Sequence, residues 1–203
     1  MTGKTHRRFS ICFAYIMIIL LYEYNLSEVN YYLSIPIVIL IAQWGAKMPD
    51  FDHEWQNVGY KTTFSRIINI LIHITGGKHR SWQTHSLDIW TWFTLVSYIL
   101  PIRLYNLGKL SKVNEEIALL VFLSVSTGWL SHLFADMLNG TGIRLVFFSK
   151  KTIAFVPKKI FKLRFNTGNE WEQFVYHFIQ AINYVLGIIM VCYPFIRYYT
   201  KIL

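Results

Sequence analysis

The chain has 203 residues, of which 54% are hydrophobic and only 15% are charged. This composition is too apolar for an ordinary soluble domain, and the grouping of the apolar residues in blocks predicts a polytopic membrane protein. The net charge of +9 would suit nucleic acid or anionic lipid, but in a membrane protein it first indicates which side carries the basic residues.

The apolar blocks predict five transmembrane helices and one interfacial helix, in a single domain over residues 1–203. The predicted spans are residues 9–24, 31–48, 87–104, 117–138 and 174–199. Residues 64–75 are amphipathic and too short to cross a bilayer, so we expect a helix at the membrane interface or packed on the bundle. The basic segment 144–164 is expected to form a short hairpin or an irregular loop on the membrane surface. The fold class is an all-α membrane helical bundle.

Five spans sort the polar segments onto two sides of the membrane. Residues 1–8, 49–86 and 139–173 share one side, and together with Lys47 they hold 15 of the 20 Lys and Arg residues. Because cytoplasmic loops carry an excess of basic residues, we expect this side to face the cytoplasm.

Residue types that bind metal ions fall on the same side. His132 and Asp136 end the fourth predicted span, four residues apart and therefore on one face of a helix. The other candidate ligands, which lie next to the ends of the remaining spans, are His6, Asp50, Asp52, His79 and His85.

A set of His and Asp without Cys suits zinc in a hydrolytic site, with manganese or iron as alternatives. The number of candidate ligands allows one or two ions, which would activate a water and clamp a phosphoryl or carbonyl oxygen. The alternative is a hydrogen-bonded His–Asp network that only joins the helices.

Several short motifs in order along the chain resemble the LexA-regulated inner-membrane family of membrane-bound, metal-dependent hydrolases. The motifs are Gly3-Lys4-Thr5-His6, Pro49-Asp50-Phe51-Asp52-His53, His79-Arg80 with Thr84-His85-Ser86, Ser131-His132 with Asp136, and Thr167-Gly168-Asn169 with Glu172. The resemblance implies a bacterial inner-membrane hydrolase whose His and Asp residues bind metal. The family is also distantly similar to zinc-dependent phospholipases C. Ser81-Trp82 and the basic 144–164 loop depart from the family pattern.

Three further residues are candidates for roles beside the ligands. Arg80 offers a planar fork for a phosphate or carboxylate, or anchors the cytoplasmic side. His53 is a ligand or an outer-shell partner. Glu172 is a general base or an orienting residue, or else it favours the start of the last helix. His73 and His177 are expected to be structural.

These observations predict a membrane-bound metal-dependent hydrolase acting on an ester or phosphoester at the cytoplasmic face. A site at headgroup level beside a basic loop meets anionic lipid first, so the expected partner is an anionic phospholipid or a lipid-linked substrate rather than a specific nucleic acid. A metal or ion transporter is one alternative, but its ligands would lie near mid-membrane. A membrane-anchored adaptor is another, and it leaves the His/Asp set unexplained.

Overall fold

The computed structural model describes residues 2–24, 30–53, 61–138, 142–146, 151–155 and 168–200. Within them the fold is nearly all-α, as expected. The helices are α1 (Gly3–Glu23), α2 (Tyr31–Gly45), α3 (Thr63–Ile74), α4 (Leu87–Asn106), α5 (Lys112–Leu138) and α6 (Glu170–Thr200). A 3₁₀ turn, Pro49–Asp52, follows α2. The only sheet among these residues is a two-stranded antiparallel hairpin of β1 (Ile143–Arg144) and β2 (Thr152–Ile153).

The central helix of the bundle is α5, which packs against α1, α2 and α4, while α1 also contacts α2 and α6. The largest core cluster is apolar and joins α1, α2, α5 and α6 through residues such as Ile18, Val38, Leu120 and Met190. A second cluster around Phe9 joins α1, α5 and α6 nearer the ends that carry the His and Asp residues.

Two glycines allow α2 and α5 to approach backbone to backbone. A Cβ on Gly128 would lie 2.0 Å from the Ala42 carbonyl oxygen, and a Cβ on Gly45 would lie 2.3 Å from that of Val125. Close crossings of this kind, at small residues, are typical of helix pairs in membranes. The crossing brings the end of α2 and the 3₁₀ turn beside the last two turns of α5.

Three segments of the described chain are long and apolar enough to cross a membrane, namely Tyr31–Asp52, Lys112–Leu138 and Glu170–Tyr199. They correspond to the second, fourth and fifth predicted spans. α1 and α4 have 21 and 20 residues, but basic residues at the start of α1 and the Trp, Tyr and Thr residues of α4 reduce their apolar character. Three of the five predicted spans are thus candidate membrane spans by length and composition, and the count of five remains a prediction.

Helix α3 has the amphipathic pattern predicted for residues 64–75, and its polar side faces the protein. Ser65 and Asn69 are buried, whereas Ile67, Leu71 and Ile74 are 52%, 53% and 76% exposed. A capping box at Thr62 begins the helix. An apolar face directed outward is the arrangement expected of a helix that lies against lipid.

The predicted hairpin or loop over 144–164 is represented by the β1–β2 hairpin. The Phe155 amide donates to the Met137 carbonyl at 2.8 Å, and the Arg144 amide donates to the His85 carbonyl at 3.0 Å. The hairpin therefore attaches to the end of α5 and to the segment before α4. Residues 147–150 and 156–164 of that prediction lie outside the described residues.

Candidate metal centre

The carboxylate of Asp136, near the end of α5, lies at the centre of a buried cluster of imidazoles. Its Oδ1 is 3.6 Å from His6 Nε2, and its Oδ2 is 3.4 Å from His85 Nε2 and 3.6 Å from His132 Nε2. All four residues are at most 5% exposed. Three chain segments far apart in sequence thus direct their ring nitrogens at one carboxylate.

Asp50 completes the cluster from the 3₁₀ turn after α2. Its Oδ1 lies 3.7 Å from His132 Nε2. Two overlapping groups have ligand atoms that all lie within 4.8 Å of one another: His6 with His132 and Asp136, and Asp50 with His85 and His132. His132 belongs to both groups, and its ring stacks on that of His6 with centroids 3.8 Å apart.

The spacing of these atoms tests whether a metal ion fits among them. The four nitrogen–oxygen separations, 3.4 to 3.7 Å, exceed the usual hydrogen-bond range of about 2.7–3.2 Å. Two ligand atoms bonded at about 2.0–2.1 Å to one tetrahedral zinc ion are separated by about 3.3 Å. His85 Nε2 is buried and makes no hydrogen bond to the described residues. The donor set therefore fits a divalent ion.

Two imidazoles of the cluster, His132 and His85, are oriented through their other ring nitrogen. His132 Nδ1 lies 2.7 Å from the Ala46 carbonyl oxygen, so it donates its proton there and leaves Nε2 free of a proton in the neutral ring. His85 Nδ1 lies 3.1 Å from Asp52 Oδ2. Metal-bound histidines commonly have such partners, which fix the tautomer and the ring orientation.

Asp52 contacts the Asp136 cluster through His85 and accepts hydrogen bonds from the 79–85 segment. Its donors are the Thr84 hydroxyl at 2.5 Å, the Ser81 amide at 3.2 Å, and His79 and His85 through Nδ1, each at 3.1 Å. The side chain is 0% exposed. Asp52 and His79 thus belong to neither converging group, although the sequence predicts both as ligands.

The partly exposed residues lie at the edge of the cluster. His53 stacks on His79 with ring centroids 3.5 Å apart, and its Nε2 is 3.8 Å from Asp50 Oδ1. Arg80 has a positive φ of 59°, and its Nη2 lies 3.3 Å from Asp136 Oδ1. A left-handed backbone at a non-glycine residue costs free energy, and such positions concentrate at functional sites.

Glu172 lies apart from the cluster, at the start of α6. Its carboxylate accepts hydrogen bonds from the Thr2 amide, the Thr5 hydroxyl at 2.7 Å and the Gly168 amide at 2.6 Å. It therefore ties the first turn of α1, which carries His6, to the start of α6. These contacts fit the orienting role among the alternatives left open by the sequence.

The imidazoles outside the membrane-spanning segments differ in their affinity for protons. Burial, and then the neighbouring His132, lower the pKa of His6 well below its ordinary value. Burial likewise lowers the pKa of His53, assisted by His79. Burial opposes the charged form of His85 as well, but the carboxylates of Asp136 and Asp52 outweigh it and raise its pKa to about 9. The position between those carboxylates therefore favours the positively charged form of the imidazole.

Sequence reasoning missed the residues that support the ligands. The Ala46 carbonyl has no sequence signal, because any residue supplies a carbonyl. Trp129 Nε1 donates to the Thr84 carbonyl at 2.9 Å and so fixes the 81–86 turn against α5. Thr84 could have been found, since a hydroxyl beside a candidate ligand is a common orienting partner.

A family model described as YdjM inner membrane protein matches residues 1–201. The chain belongs to the YdjM inner membrane protein family. Membership and the apolar helices establish a membrane protein, and the family description assigns it to the inner membrane. No curated protein and no solved structure matches the chain. The description says nothing of hydrolysis or of phospholipases C, so both implications of the resemblance remain predictions.

Proposed function

We propose that this protein is a membrane-bound metal-dependent hydrolase that cleaves an ester or phosphoester of a membrane lipid. The observation that carries the proposal is the convergence of three imidazole nitrogens and two carboxylates at separations of 3.4 to 3.7 Å, which is too long for ordinary hydrogen bonds. We assign the ion, with zinc as the first candidate and manganese or iron as alternatives, to His6, His85, His132, Asp50 and Asp136.

When bound, one or two divalent ions would supply a nucleophilic water at neutral pH and a Lewis acid for the scissile group. Asp52 holds the rings of His79 and His85 through their Nδ1 atoms. Arg80, whose side chain is 25% exposed, offers its guanidinium to an anionic oxygen of the substrate. His53, with its pKa lowered by burial, is neutral at pH 7 and can accept a proton from water.

The lipid assignment rests on location. The cluster lies at one end of the bundle, where the apolar outer face of α3 and the basic residues Arg144 and Lys151 are also found. Basic groups at a membrane surface attract anionic headgroups. We assign this end to the cytoplasmic face on the distribution of Lys and Arg.

A transport function is less well supported. The clustered His and Asp residues lie at one end of the described helices. The substrate site of a transporter typically lies near the middle of the membrane instead.

Elemental analysis of the detergent-purified protein tests the proposal. We expect about one or two ions per chain, lost in His85→Ala and His132→Ala and retained in the control His177→Ala, which changes an exposed histidine of α6. The metal-loaded protein should hydrolyse phospholipids or lipid phosphates, and chelation should abolish the release of product.

A protein without metal would contradict the proposal. If the native protein carries no metal, and if added zinc or manganese neither binds nor raises the melting temperature, the cluster is a hydrogen-bonded network that joins helices and the proposal fails.

A further inference from the structure

A groove of about 330 Å³ lies between the start of α1 and the end of α2. Arg7 and Lys47 supply basic groups to its lining, and Leu40 and Trp44 supply apolar surface. His6, a candidate metal ligand, also lies in its wall. One groove thus combines cationic and apolar groups next to the metal centre.

The apolar side of the groove continues along α2. Leu33, Ile37 and Leu40 are 65%, 43% and 66% exposed, and with Trp44 they follow at intervals of four, three and four residues. This spacing places them on one face of the helix. Because α2 lies in a candidate membrane span, the stripe of exposed side chains faces lipid and leads to the groove.

The polar end of the groove is preorganised for an anion. Arg7 Nε donates to Gln43 Oε1 at 2.5 Å, which fixes the guanidinium between α1 and α2. Arg7 and Lys47 are both exposed at this end. Guanidinium and ammonium groups attract the negative charge of a phosphate diester and donate hydrogen bonds to its oxygens.

The groove opens at the level of the membrane surface. The Trp44 ring lies 5.7 Å from that of Phe64, at the start of α3. Phe64 is 46% exposed and belongs to the outward apolar face of α3. Tryptophan at the border of an apolar span is typical of the headgroup region of a bilayer.

We propose that this α1–α2 groove binds the headgroup of an anionic phospholipid whose acyl chains lie along the α2 stripe, and that it brings the lipid to the metal centre past His6. A volume of about 330 Å³ accommodates a headgroup and glycerol but not the acyl chains, which remain in the bilayer. The role of this site in delivering substrate rests on the proposed function, but lipid binding itself is measured without hydrolysis.

The first test measures lipid binding to the full chain in detergent, using dioctanoyl phosphatidylglycerol in native mass spectrometry. The double variant Arg7→Gln/Lys47→Gln should bind this lipid about 10- to 30-fold more weakly, because each basic group at a membrane surface contributes about 1 kcal/mol. The control Lys4→Gln/Arg103→Gln removes the same charge outside the groove and should bind as the unchanged protein does.

A second pair of variants tests the groove without altering charge. Gly3 lines it, and a Cβ there would meet nothing within 4 Å, so a side chain is accommodated without disturbing the fold. Gly3→Phe should fill the groove and abolish lipid binding, whereas Gly3→Ala should retain it. Unchanged binding in both Gly3→Phe and the double variant would overturn the proposal.

Two further measurements distinguish a phospholipid from free phosphate as the occupant, and failure of the groove proposal from failure of the hydrolase proposal. Inorganic phosphate that competes as well as phosphatidylglycerol at equal concentration would overturn the lipid assignment. Binding is also measured after chelation and in His132→Ala. If chelation or His132→Ala removes the metal and groove-dependent lipid binding persists, the groove proposal is supported. This holds even if the native protein is metal-free and the hydrolase proposal fails. Groove variants that keep their metal and lose the lipid support it directly.

Discussion

At the scale of single residues, the carboxylates of Asp52 and Asp136 have opposite surroundings although both are buried. Asp52 accepts from an amide, a hydroxyl and two Nδ1 atoms within 3.2 Å, whereas Asp136 has Arg80 Nη2 at 3.3 Å and imidazole nitrogens at 3.4 to 3.6 Å. A carboxylate whose acceptor sites are filled by protein donors has little capacity left for an ion. We therefore expect Asp52 to act by orienting its neighbours and Asp136 to act as a ligand.

Replacing these carboxylates by amides separates the two roles. We expect Asp52→Asn to weaken zinc binding by about 10- to 100-fold, which is typical of an outer-shell partner, because the amide lacks the negative charge and keeps only one acceptor oxygen for the donors that include His85. Asp136→Asn should abolish binding. Zinc titration calorimetry in detergent gives both affinities, with Asp88→Asn as a control near the site. If Asp52→Asn remains folded and binds no zinc at all, Asp52 is itself a ligand.

At the scale of the elements, the site depends on how closely α2 approaches α5. The glycine crossing sets this distance, and the Ala46 carbonyl that orients His132 immediately follows α2. His6 is positioned by a different contact, the attachment of α1 to α6 through Glu172. Asn69 of α3 holds the 3₁₀ turn by donating to the Phe51 and His53 carbonyls at 2.5 and 2.6 Å. Each ligand segment is thus fixed by a separate packing contact.

We expect Gly128→Ala to lower the free energy of unfolding by about 1–3 kcal/mol, because the new Cβ would lie 2.0 Å from the Ala42 carbonyl oxygen and must push the helices apart. Metal affinity should fall with it, since the Ala46 carbonyl moves away from His132. Thermal melting and metal content of the purified variant measure the two effects.

Gly187→Ala is the matched control for this variant. Its Cβ would meet the Tyr15 hydroxyl at 3.5 Å, an ordinary contact, so stability and metal content should be unchanged or slightly raised. Equal behaviour of the two alanine variants would show that the α2–α5 crossing does not control the site.

At the scale of the whole molecule, the described ligand residues lie at one end of the bundle. The start of α1, the 3₁₀ turn, the segment before α4, the end of α5 and the start of α6 meet there. The turn after α4, which contains Lys109, belongs to the opposite end. The candidate ligands are therefore confined to one end of the described bundle.

Cysteine labelling in intact bacteria tests which surface this is. In a Cys12→Ser/Cys192→Ser background, a membrane-impermeant maleimide should label Lys109→Cys and not Lys78→Cys, because the basic end should remain in the cytoplasm. Both positions are exposed. Labelling of both should appear after the cells are opened. The reverse pattern in intact cells would assign the metal centre to the outer surface.

Much of the fold and part of the site could be predicted from sequence. Apolar periodicity is a local property, so it predicted the helices, the amphipathic α3 and the grouping of His and Asp residues at one side. The four-residue spacing likewise placed His132 and Asp136 together, since adjacent turns of one helix adjoin whatever surrounds them.

Only the tertiary structure showed which candidates converge. Asp52, two residues from Asp50, is directed to the 79–85 segment, and Glu172 is directed to the start of α1, because the packing of α2, α5 and α6 sets these directions. The Ala46 carbonyl and the α1–α2 groove likewise arise between elements distant in sequence. Local pattern determined the elements and their residue types, whereas contacts across the bundle decided the role of each side chain.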